Sequence, residues 1–309
     1  MSYLIIDTDI GVDDAYAVKL AALTGELMGV TTTYGNASIE QTTRNAKLAM
    51  HKWNMSVAIY RGTSHPLVAP APVNDGHIHG IDGLGACYDN QENAIAPNAI
   101  NFIIESARRY PGEVSLLTIG PMTNLAMALN QEPELPKLLK QVISMGGAFG
   151  TDGNSGNMSH FAEFNIWADP HAADQVMAAP FNFVLIPLDM THRVIIDEQE
   201  IDSYQDEFLS NISKFYLDFS EKYEKFRGMC VHDALTAVYY SHPEFFETTK
   251  TPLAVSTEGI TYGQTHRRIS TYATIPFDVF KGRPEHTIIL NGDIKAIKDF
   301  MLEEMIRHK

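Results

Sequence analysis

Residues 7–15 (DTDIGVDDA) place four carboxylates within eight positions, directly after a short apolar run. Carboxylates this close repel one another, and burying even one of them unpaired is costly. Capping the helix that follows would need only one of the four. A divalent cation explains the whole cluster, and an all-oxygen ligand set suits a hard ion such as Ca²⁺ or Mg²⁺. The four residues are Asp7, Asp9, Asp13 and Asp14.

Two other functions are compatible with part of this segment. The first is a HAD-like phosphohydrolase, in which an aspartate after the first strand attacks phosphate and the signature is DxDx(T/V). Gly11 stands where that signature has Thr or Val, and such enzymes also need a separate lysine and a later acidic pair. The second is a non-catalytic calcium-binding protein, although a structural calcium site would more simply use one local loop.

Short apolar runs alternate with helical patterns along the whole chain. This alternation predicts right-handed crossovers and a mostly parallel sheet flanked by helices. We therefore predict one α/β domain over residues 1–309, a Rossmann-like open sheet with a small hairpin near the carboxyl terminus. The predicted strands are 3–6, 27–33, 57–60, 114–119, 142–145, 183–187 and 288–291, and the hairpin pairs 253–256 with 268–273. The predicted helices are 14–23, 39–53, 98–110, 124–129, 234–240 and 293–308.

Polar residues follow the ends of several predicted strands, among them Asp9, Asn36, Thr123 and Asp189. In parallel sheets ligands bind beyond the carboxyl ends of the strands. These scattered residues are therefore predicted to converge on one ligand site.

Composition restricts the partners. A net charge of −15 argues against a nucleic-acid partner, because phosphate binding needs clustered Lys and Arg. No window reaches the roughly 20 apolar residues of a membrane span. Cys87 and Cys230 lie far apart without CxxC spacing, which argues against a disulfide framework or a thiolate zinc site. A cytoplasmic protein that contacts neither nucleic acid nor membrane is the expectation.

Residues 7–15 resemble the DxDxGxDDA signature of the inosine–uridine-preferring nucleoside hydrolase family. Further segments resemble the family in the same order, as far as about residue 233: the GN turn and TRNA helix (35–46), the loop HGIDGLG (79–85), TIGPMTNLA (118–126), the N-x5-E-F-N segment (157–165) and VHDA (231–234). The resemblance implies calcium-dependent hydrolysis of the N-glycosidic bond of ribonucleosides. It also implies a homotetramer or homodimer, most like the bacterial enzymes that accept both purine and pyrimidine nucleosides.

The resemblance further implies which residues hold the metal and perform the chemistry. Calcium would be held by Asp9, Asp14, Asp233 and the backbone carbonyl of Thr123. Calcium acidifies its water only modestly compared with zinc, so Asp9 would also act as the general base. His232 would lie near the base and protonate it as it leaves, a role suited to a pKa in the neutral range.

Substrate contacts are implied in the same way. Asp13 and Asn36 would bind the ribose hydroxyls, and His79 would belong to a lid within the irregular region 66–97. In the segment 157–165, an extended chain would turn Glu163 and Asn165 to one side and Phe164 to the other. The substrate residues of this segment are Asn157, Glu163, Phe164 and Asn165.

Two further expectations concern neighbouring segments. Asp169, followed by Pro170, is typical of a helix start with aspartate as the cap. The helix around residues 216–227 is the candidate for base contacts, with Tyr223 and Arg227 as candidate side chains.

Overall fold

The computed structural model describes residues 3–68, 78–151, 153, 155–270, 272 and 275–307. Within these residues, the strands of the main sheet are β1 (Tyr3–Thr8), β2 (Glu26–Thr32), β3 (Ile59–Arg61), β4 (Val114–Thr118), β5 (Leu139–Met145), β6 (Phe183–Ile186), β9 (Phe246–Val255), β10 (Thr265–Arg267) and β11 (Glu285–Gly292). A separate antiparallel pair consists of β7 (Ile195–Asp197) and β8 (Gly228–Cys230).

The main sheet has the strand order β10-β9-β11-β6-β5-β4-β1-β2-β3. Seven neighbouring strands in this order, β11-β6-β5-β4-β1-β2-β3, are parallel to one another. Strands β9 and β10 are antiparallel additions at the edge next to β11. The chain leaves β1 first toward β2 and β3 and later returns to the other side of β1 with β4. This reversal between β1 and β4 opens a crevice at their carboxyl ends, where parallel sheets bind ligands.

Helices cover both faces of the sheet. They are α1 (Val12–Thr24), α2 (Ile39–Lys52), α3 (Ala99–Arg109), α4 (Thr123–Gln131), α5 (Leu135–Leu138), α6 (Phe164–Ala168), α7 (Pro170–Ala178), α8 (Leu188–Thr191), α9 (Glu198–Ser203), α10 (Glu207–Phe219), α11 (Ala234–Ser241) and α12 (Ile294–Arg307). A π-helical turn, Ser220–Glu224, extends α10. Helix α1 packs against α10, α11 and α12 on one face, while α3, α4 and α7 pack together on the other.

Strand β1 contributes side chains to both hydrophobic cores, one on each face of the sheet. Leu4 and Ile6 belong to the core under α1, and Ile5 belongs to the core under α3 and α4. All three side chains are fully buried. Because alternate side chains of a strand point to opposite faces, a strand with helices on both sides must be apolar at every position.

The predicted fold class is confirmed, as is the antiparallel hairpin, but several details differ. The second hairpin strand is β10 at Thr265–Arg267, because Val255 already pairs with Thr265. Residues 268–270 and 272 of the predicted strand are irregular, and residues 271 and 273 lie outside the described residues. The segment at Glu163 is the start of a helix rather than extended. Elements α5, α8, α9, β7 and β8, of three to six residues each, were not predicted. The helix expected around residues 216–227 is the end of α10, which begins at Glu207, together with the π-helical turn Ser220–Glu224.

One stability prediction follows from the two-sided core. Leu117 lies in β4 at the middle of the sheet and is fully buried. We expect Leu117→Ala to lower the free energy of unfolding by about 2–5 kcal/mol, because it removes apolar contacts and leaves a cavity. The control is Ile95→Ala, whose side chain is 83% exposed and whose loss should cost at most about 0.5 kcal/mol. Urea unfolding would measure both, and equal midpoints would contradict the packing described.

Candidate active site

A pocket of about 540 Å³ opens where the carboxyl ends of β1, β4 and β5 meet. Its lining includes all seven residues that the family resemblance assigns to substrate binding. These are Asp13, Asn36, His79, Asn157, Glu163, Phe164 and Asn165. His232 and Asp233 also line it, and Ile78, Ile119, Met145, Met158, Phe219 and Tyr223 complete the wall.

The floor of the pocket is a carboxylate cluster drawn from distant parts of the chain. One oxygen each from Asp13, Asp14 and Asp233 lies within 4.8 Å of the others, and all three side chains are buried. Asp13 and Asp14 occupy the first turn of α1, whereas Asp233 lies directly before α11. These two helices pack against each other, which brings the carboxylates together.

Asp14 is held rigidly by its neighbours. It accepts hydrogen bonds from the Thr8 hydroxyl at 2.5 Å, the Gly11 amide at 2.9 Å and the Asn36 side-chain amide at 3.0 Å. Three donors on one buried carboxylate fix its orientation and offset part of the cost of burying it.

Asp9 lies beside this cluster, and only one of its two carboxylate oxygens has a hydrogen-bond partner among the described residues. Its Oδ2 accepts a hydrogen bond from the Asn36 amide at 2.7 Å, while Oδ1 is buried with no hydrogen-bond partner among the described residues. A β-carbon placed on Gly120 would come within 2.7 Å of Oδ1. Glycine is thus needed at position 120 so that the backbone can lie against the carboxylate. An orphaned buried carboxylate oxygen is what a cation or its water would satisfy.

The electrostatics of the cluster support the same interpretation. Burial raises the pKa of Asp9 well above its usual value and that of Asp13 to about 8, and the charge of the neighbouring Asp14 is the second cause in both cases. Burial, followed by the neighbouring Asp13, also raises the pKa of Asp233 well above its usual value. No Lys or Arg lines the pocket in the described part of the chain. The cluster is therefore short of positive charge, which a divalent cation would supply, and the lysine that a phosphohydrolase needs does not line the pocket.

Thr123, predicted to bind the metal through its backbone carbonyl, does not line the pocket, and neither do the predicted ligands Asp9 and Asp14. Its hydroxyl donates to Asp169 at 2.7 Å and lies 3.0 Å from the Tyr34 hydroxyl. Strand β4 ends at Thr118, so Thr123, which begins α4, already lies beyond the crevice. Ile119, directly after β4, lines the pocket instead. The position of Ile119 directly after a strand was the sequence signal that could have identified it as a pocket residue.

Glu163 and Asn165 reach the pocket by a geometry different from the predicted one. Glu163 caps α6 and accepts hydrogen bonds from the amides of Gly147, Asn165 and Ile166 at 2.8, 2.8 and 3.2 Å. Burial raises its pKa to about 7. Because the chain turns into a helix here, Phe164 lines the same pocket rather than pointing to the opposite side.

Two other side chains of this segment are held by backbone groups. The Asn165 amide donates to the carbonyl of Ile119 at 3.2 Å and to that of Met145 at 3.3 Å. Asn157 accepts a hydrogen bond from the Phe164 amide at 2.9 Å. The polar wall of the pocket is therefore preorganised by the ends of β4 and β5.

His79 connects the loop to the first turn of α1. Its Nδ1 accepts a hydrogen bond from the Val12 amide at 3.1 Å and lies 3.8 Å from a carboxylate oxygen of Asp13. Burial lowers the pKa of His79 to about 4. The predicted lid region contains this residue, and positions 69–77 of that region lie outside the described residues.

His232 has a pKa below the neutral range that was expected for it. Burial lowers the pKa well below the usual value, and the nearby rings of His192 and His79 lower it further. The Nδ1 of His232 lies 2.7 Å from the Thr191 hydroxyl. The ring is therefore neutral in this pocket at neutral pH.

The open end of the pocket is apolar and aromatic. Tyr223 and Phe219 pack together there, with ring centroids 5.0 Å apart. Arg227 is not part of it, because its guanidinium pairs with Glu198, Asp218 and Glu221 outside the pocket. Phe219, Ile78 and Met158 were not predicted, since single apolar residues carry no motif signal.

Comparison with known proteins gives one consistent result. The family model described as inosine–uridine preferring nucleoside hydrolase matches residues 4–299. The chain is 32% identical over 310 residues to the non-specific ribonucleoside hydrolase RihC of Escherichia coli, covering 97% of each chain. It is 33% identical over 273 residues to probable uridine nucleosidase 1 of Oryza sativa, covering 85% of this chain and 83% of the relative.

Solved structures agree with the sequence relatives. A plant nucleoside hydrolase, PpNRh1, matches with a TM-score of 0.92 and 27% identity over 99% of both chains. A purine-preferring ribonucleoside hydrolase from Gardnerella vaginalis matches with a TM-score of 0.88 and 28% identity, over 99% of this chain and 98% of the other. None of the described helices is both long and apolar enough to span a bilayer.

The matched span includes the carboxylate cluster, the other residues that line the pocket and the segment before α11. The chain belongs to the inosine–uridine preferring nucleoside hydrolase family, metal-dependent enzymes that hydrolyse the N-glycosidic bond of ribonucleosides.

Proposed function

We propose that this enzyme requires calcium and hydrolyses both purine and pyrimidine ribonucleosides. The observation that carries the metal proposal is the buried Asp9 Oδ1, which has no hydrogen-bond partner in the described residues and adjoins three converging carboxylates. The ligands would be Asp9, Asp14 and Asp233, together with the carbonyl of Ile119 in place of that of Thr123. A carbonyl adds an oxygen donor without adding negative charge.

The donor set favours calcium over softer metals. Carboxylate and carbonyl oxygens are the donors that hard cations prefer, and calcium tolerates irregular arrangements better than magnesium does. Each nearby imidazole has one ring nitrogen engaged, since Nδ1 of His79 accepts from Val12 and Nδ1 of His232 contacts Thr191. When bound, calcium would polarise the attacking water and orient the ribose hydroxyls.

The remaining polar residues would hold the ribose. Asp13 faces the pocket, unlike the more deeply buried Asp14, and with Asn36 it would bind the hydroxyls on carbons 2 and 3. Asn157, Glu163 and Asn165 would bind the other side of the sugar. Precise positioning of this kind can supply about 7–11 kcal/mol of barrier lowering.

Asp9 and His232 would carry the chemistry. As the water oxygen bonds to the anomeric carbon, Asp9 takes a proton from that water. The bond from the anomeric carbon to the base nitrogen breaks, and its electron pair goes to the base. His232, neutral in this pocket, donates a hydrogen bond to the departing base, which then takes its proton from solvent. A cation near Asp233 would lower the pKa of His232 further, so the ring stays neutral.

The base end of the pocket supports broad specificity. Tyr223, Phe219 and Phe164 offer aromatic faces, and Ile78 and Met158 offer apolar contact. Stacking is tolerant because every base presents a π-face. The RihC relative is named non-specific, which agrees with this proposal.

Assembly and location are proposals of the same kind. By similarity to the family we propose a homodimer or homotetramer, which analytical ultracentrifugation would test. Cys87 and Cys230 are thiols rather than disulfide partners, which suits the reducing cytoplasm that we propose as its compartment.

The central test is a substrate panel with and without metal. We expect the enzyme to release reducing sugar from inosine, adenosine, guanosine, uridine and cytidine, to lose this activity in EDTA and to regain it with Ca²⁺. Deoxyinosine should react at least about 100-fold more slowly, because lost hydroxyl contacts remove positioning energy. Calcium binding without release of sugar from any nucleoside would support the non-catalytic alternative, and full activity in EDTA would contradict metal dependence.

Asp233→Asn tests the metal ligands directly. Removing one ligand charge should weaken Ca²⁺ binding by about two orders of magnitude, since calcium affinity depends on the number of charged ligands. Isothermal titration calorimetry measures this in the absence of substrate. The matched control is Asp299→Asn, an exposed carboxylate of α12. Equal affinities of the two variants would remove Asp233 from the metal site.

The raised carboxylate pKa values predict how stability depends on pH. Burial raises the pKa of Asp13 to about 8 and that of Glu163 to about 7, well above the ordinary values of the free carboxyl groups. The folded state therefore retains protons that the unfolded state has released. Stability of the EDTA-treated protein should fall as pH rises from about 4 toward 8, by about 1.4 kcal/mol per pH unit for each retained proton.

Calcium should reverse this dependence, because it binds the deprotonated cluster of the folded state. Thermal unfolding between pH 5 and pH 8, in EDTA and in Ca²⁺, measures both effects. The gain in melting temperature from calcium should be larger at pH 8 than at pH 5. A calcium gain that is the same at both pH values would count against a shared carboxylate site.

A further inference from the structure

Thr191 makes a contact with His232 that the proposed reaction does not yet use. It is the last residue of α8, and its side chain is fully buried. Its hydroxyl oxygen lies 2.7 Å from Nδ1 of His232. His232 lines the pocket, and because Nδ1 contacts Thr191, Nε2 is the ring nitrogen left for a ligand in that pocket.

The direction of this hydrogen bond follows from what else the hydroxyl can reach. In the described part of the chain, His232 Nδ1 is its one hydrogen-bond partner. If Nδ1 carried the ring proton, the Thr191 hydroxyl would accept and its own buried proton would have no acceptor, at a cost of about 1–3 kcal/mol. If the hydroxyl donates to Nδ1, both groups are satisfied. A neutral imidazole that accepts at Nδ1 must carry its proton on Nε2.

The consequence concerns the leaving base. With the proton on Nε2, the pocket edge of His232 is a hydrogen-bond donor, which suits a base nitrogen that is gaining an electron pair. With the other tautomer, the same edge would present a lone pair and repel that nitrogen. Fixing one tautomer by a second hydrogen bond is a known means of orienting catalytic histidines.

We propose that Thr191 is a positioning residue that holds His232 in the tautomer with its proton on Nε2, so that the ring donates to the departing nucleobase. This inference rests on the role proposed above for His232. The position of Thr191 is itself fixed, because its neighbour Asp189 accepts hydrogen bonds from the amides of Phe149 and Thr151 at 2.8 and 2.7 Å. Helix α8 is thereby tied to the loop after β5.

Thr191→Val is the informative variant, because it keeps the branched shape and removes only the hydroxyl. Its kcat on inosine should fall about 10- to 100-fold, with KM changed less than about 3-fold, since a group that assists only bond breaking is lost. On p-nitrophenyl riboside, whose leaving group is a stable anion that needs no donor, kcat should change less than about 3-fold. Thr191→Ser retains the hydroxyl and should restore most of the inosine activity.

Comparing the two substrates distinguishes the loss of His232 positioning from a general structural defect. Equal losses on inosine and p-nitrophenyl riboside would show a structural defect and overturn the proposal. Undiminished inosine activity in Thr191→Val would overturn it as well. His232→Ala should reproduce the selective loss, and if it does not, the assignment of His232 itself fails.

A readout independent of turnover completes the test. Long-range ¹⁵N–¹H correlation spectra of the ¹⁵N-histidine-labelled enzyme distinguish the two neutral tautomers, and His232→Ala identifies the signal of residue 232. We expect the Nε2–H form in the wild type and a mixture or the Nδ1–H form in Thr191→Val. An Nδ1–H wild type, or an unchanged tautomer in the variant, would overturn the role of Thr191. A wild type that cleaves neither riboside would instead refute the proposed function, and the spectra would still decide the tautomer.

Discussion

The structure of this protein depends on how the fold accommodates the repulsion between carboxylates that are buried close together. Asp13, Asp14 and Asp233 converge within 4.8 Å at the floor of the pocket, and each is at most 4% exposed. Such an arrangement is unfavourable by itself, and the fold tolerates it because the apolar cores on both faces of the sheet supply the stability. The donors around Asp14 and the glycine beside Asp9 then hold the charges in place until a cation balances them.

The pocket divides into two chemically different halves. Its floor and one wall consist of carboxylates and amides held by backbone groups, which suits a sugar with several hydroxyls. Its mouth consists of aromatic and aliphatic side chains, which suits a flat base. The relatives include proteins named for uridine, for purines and for no particular nucleoside.

Sequence alone predicted the sheet and most of the polar residues because both carry strong signals. Short apolar runs, such as residues 4–6 of β1 and 116–117 of β4, indicate buried strands, and the spacing of Asp9, Asp13 and Asp14 is hard to reconcile with an ordinary turn. The seven predicted substrate residues all line one pocket.

The errors arose where tertiary contacts override local pattern. Alternation suggested an extended segment at Glu163, but its carboxylate caps a helix by binding three backbone amides. Thr123 was chosen by its place in a motif, whereas β4 ends five residues earlier, and Ile119, the residue directly after that strand, lines the pocket. Arg227 was a candidate because it lies on the segment around residues 216–227. Its salt bridges to Glu198 and Glu221 hold the guanidinium outside the pocket. The pairing of Thr191 with His232 joins residues that no motif relates.

The distribution of the cluster along the chain has a consequence for biosynthesis. Asp14 leaves the ribosome about two hundred residues before Asp233, which stands at the start of a helix that packs on α1. Until that helix emerges, the nascent polypeptide would hold only part of the proposed set of metal ligands. Cation binding would therefore be a late step, and it would report that α11 has folded onto α1.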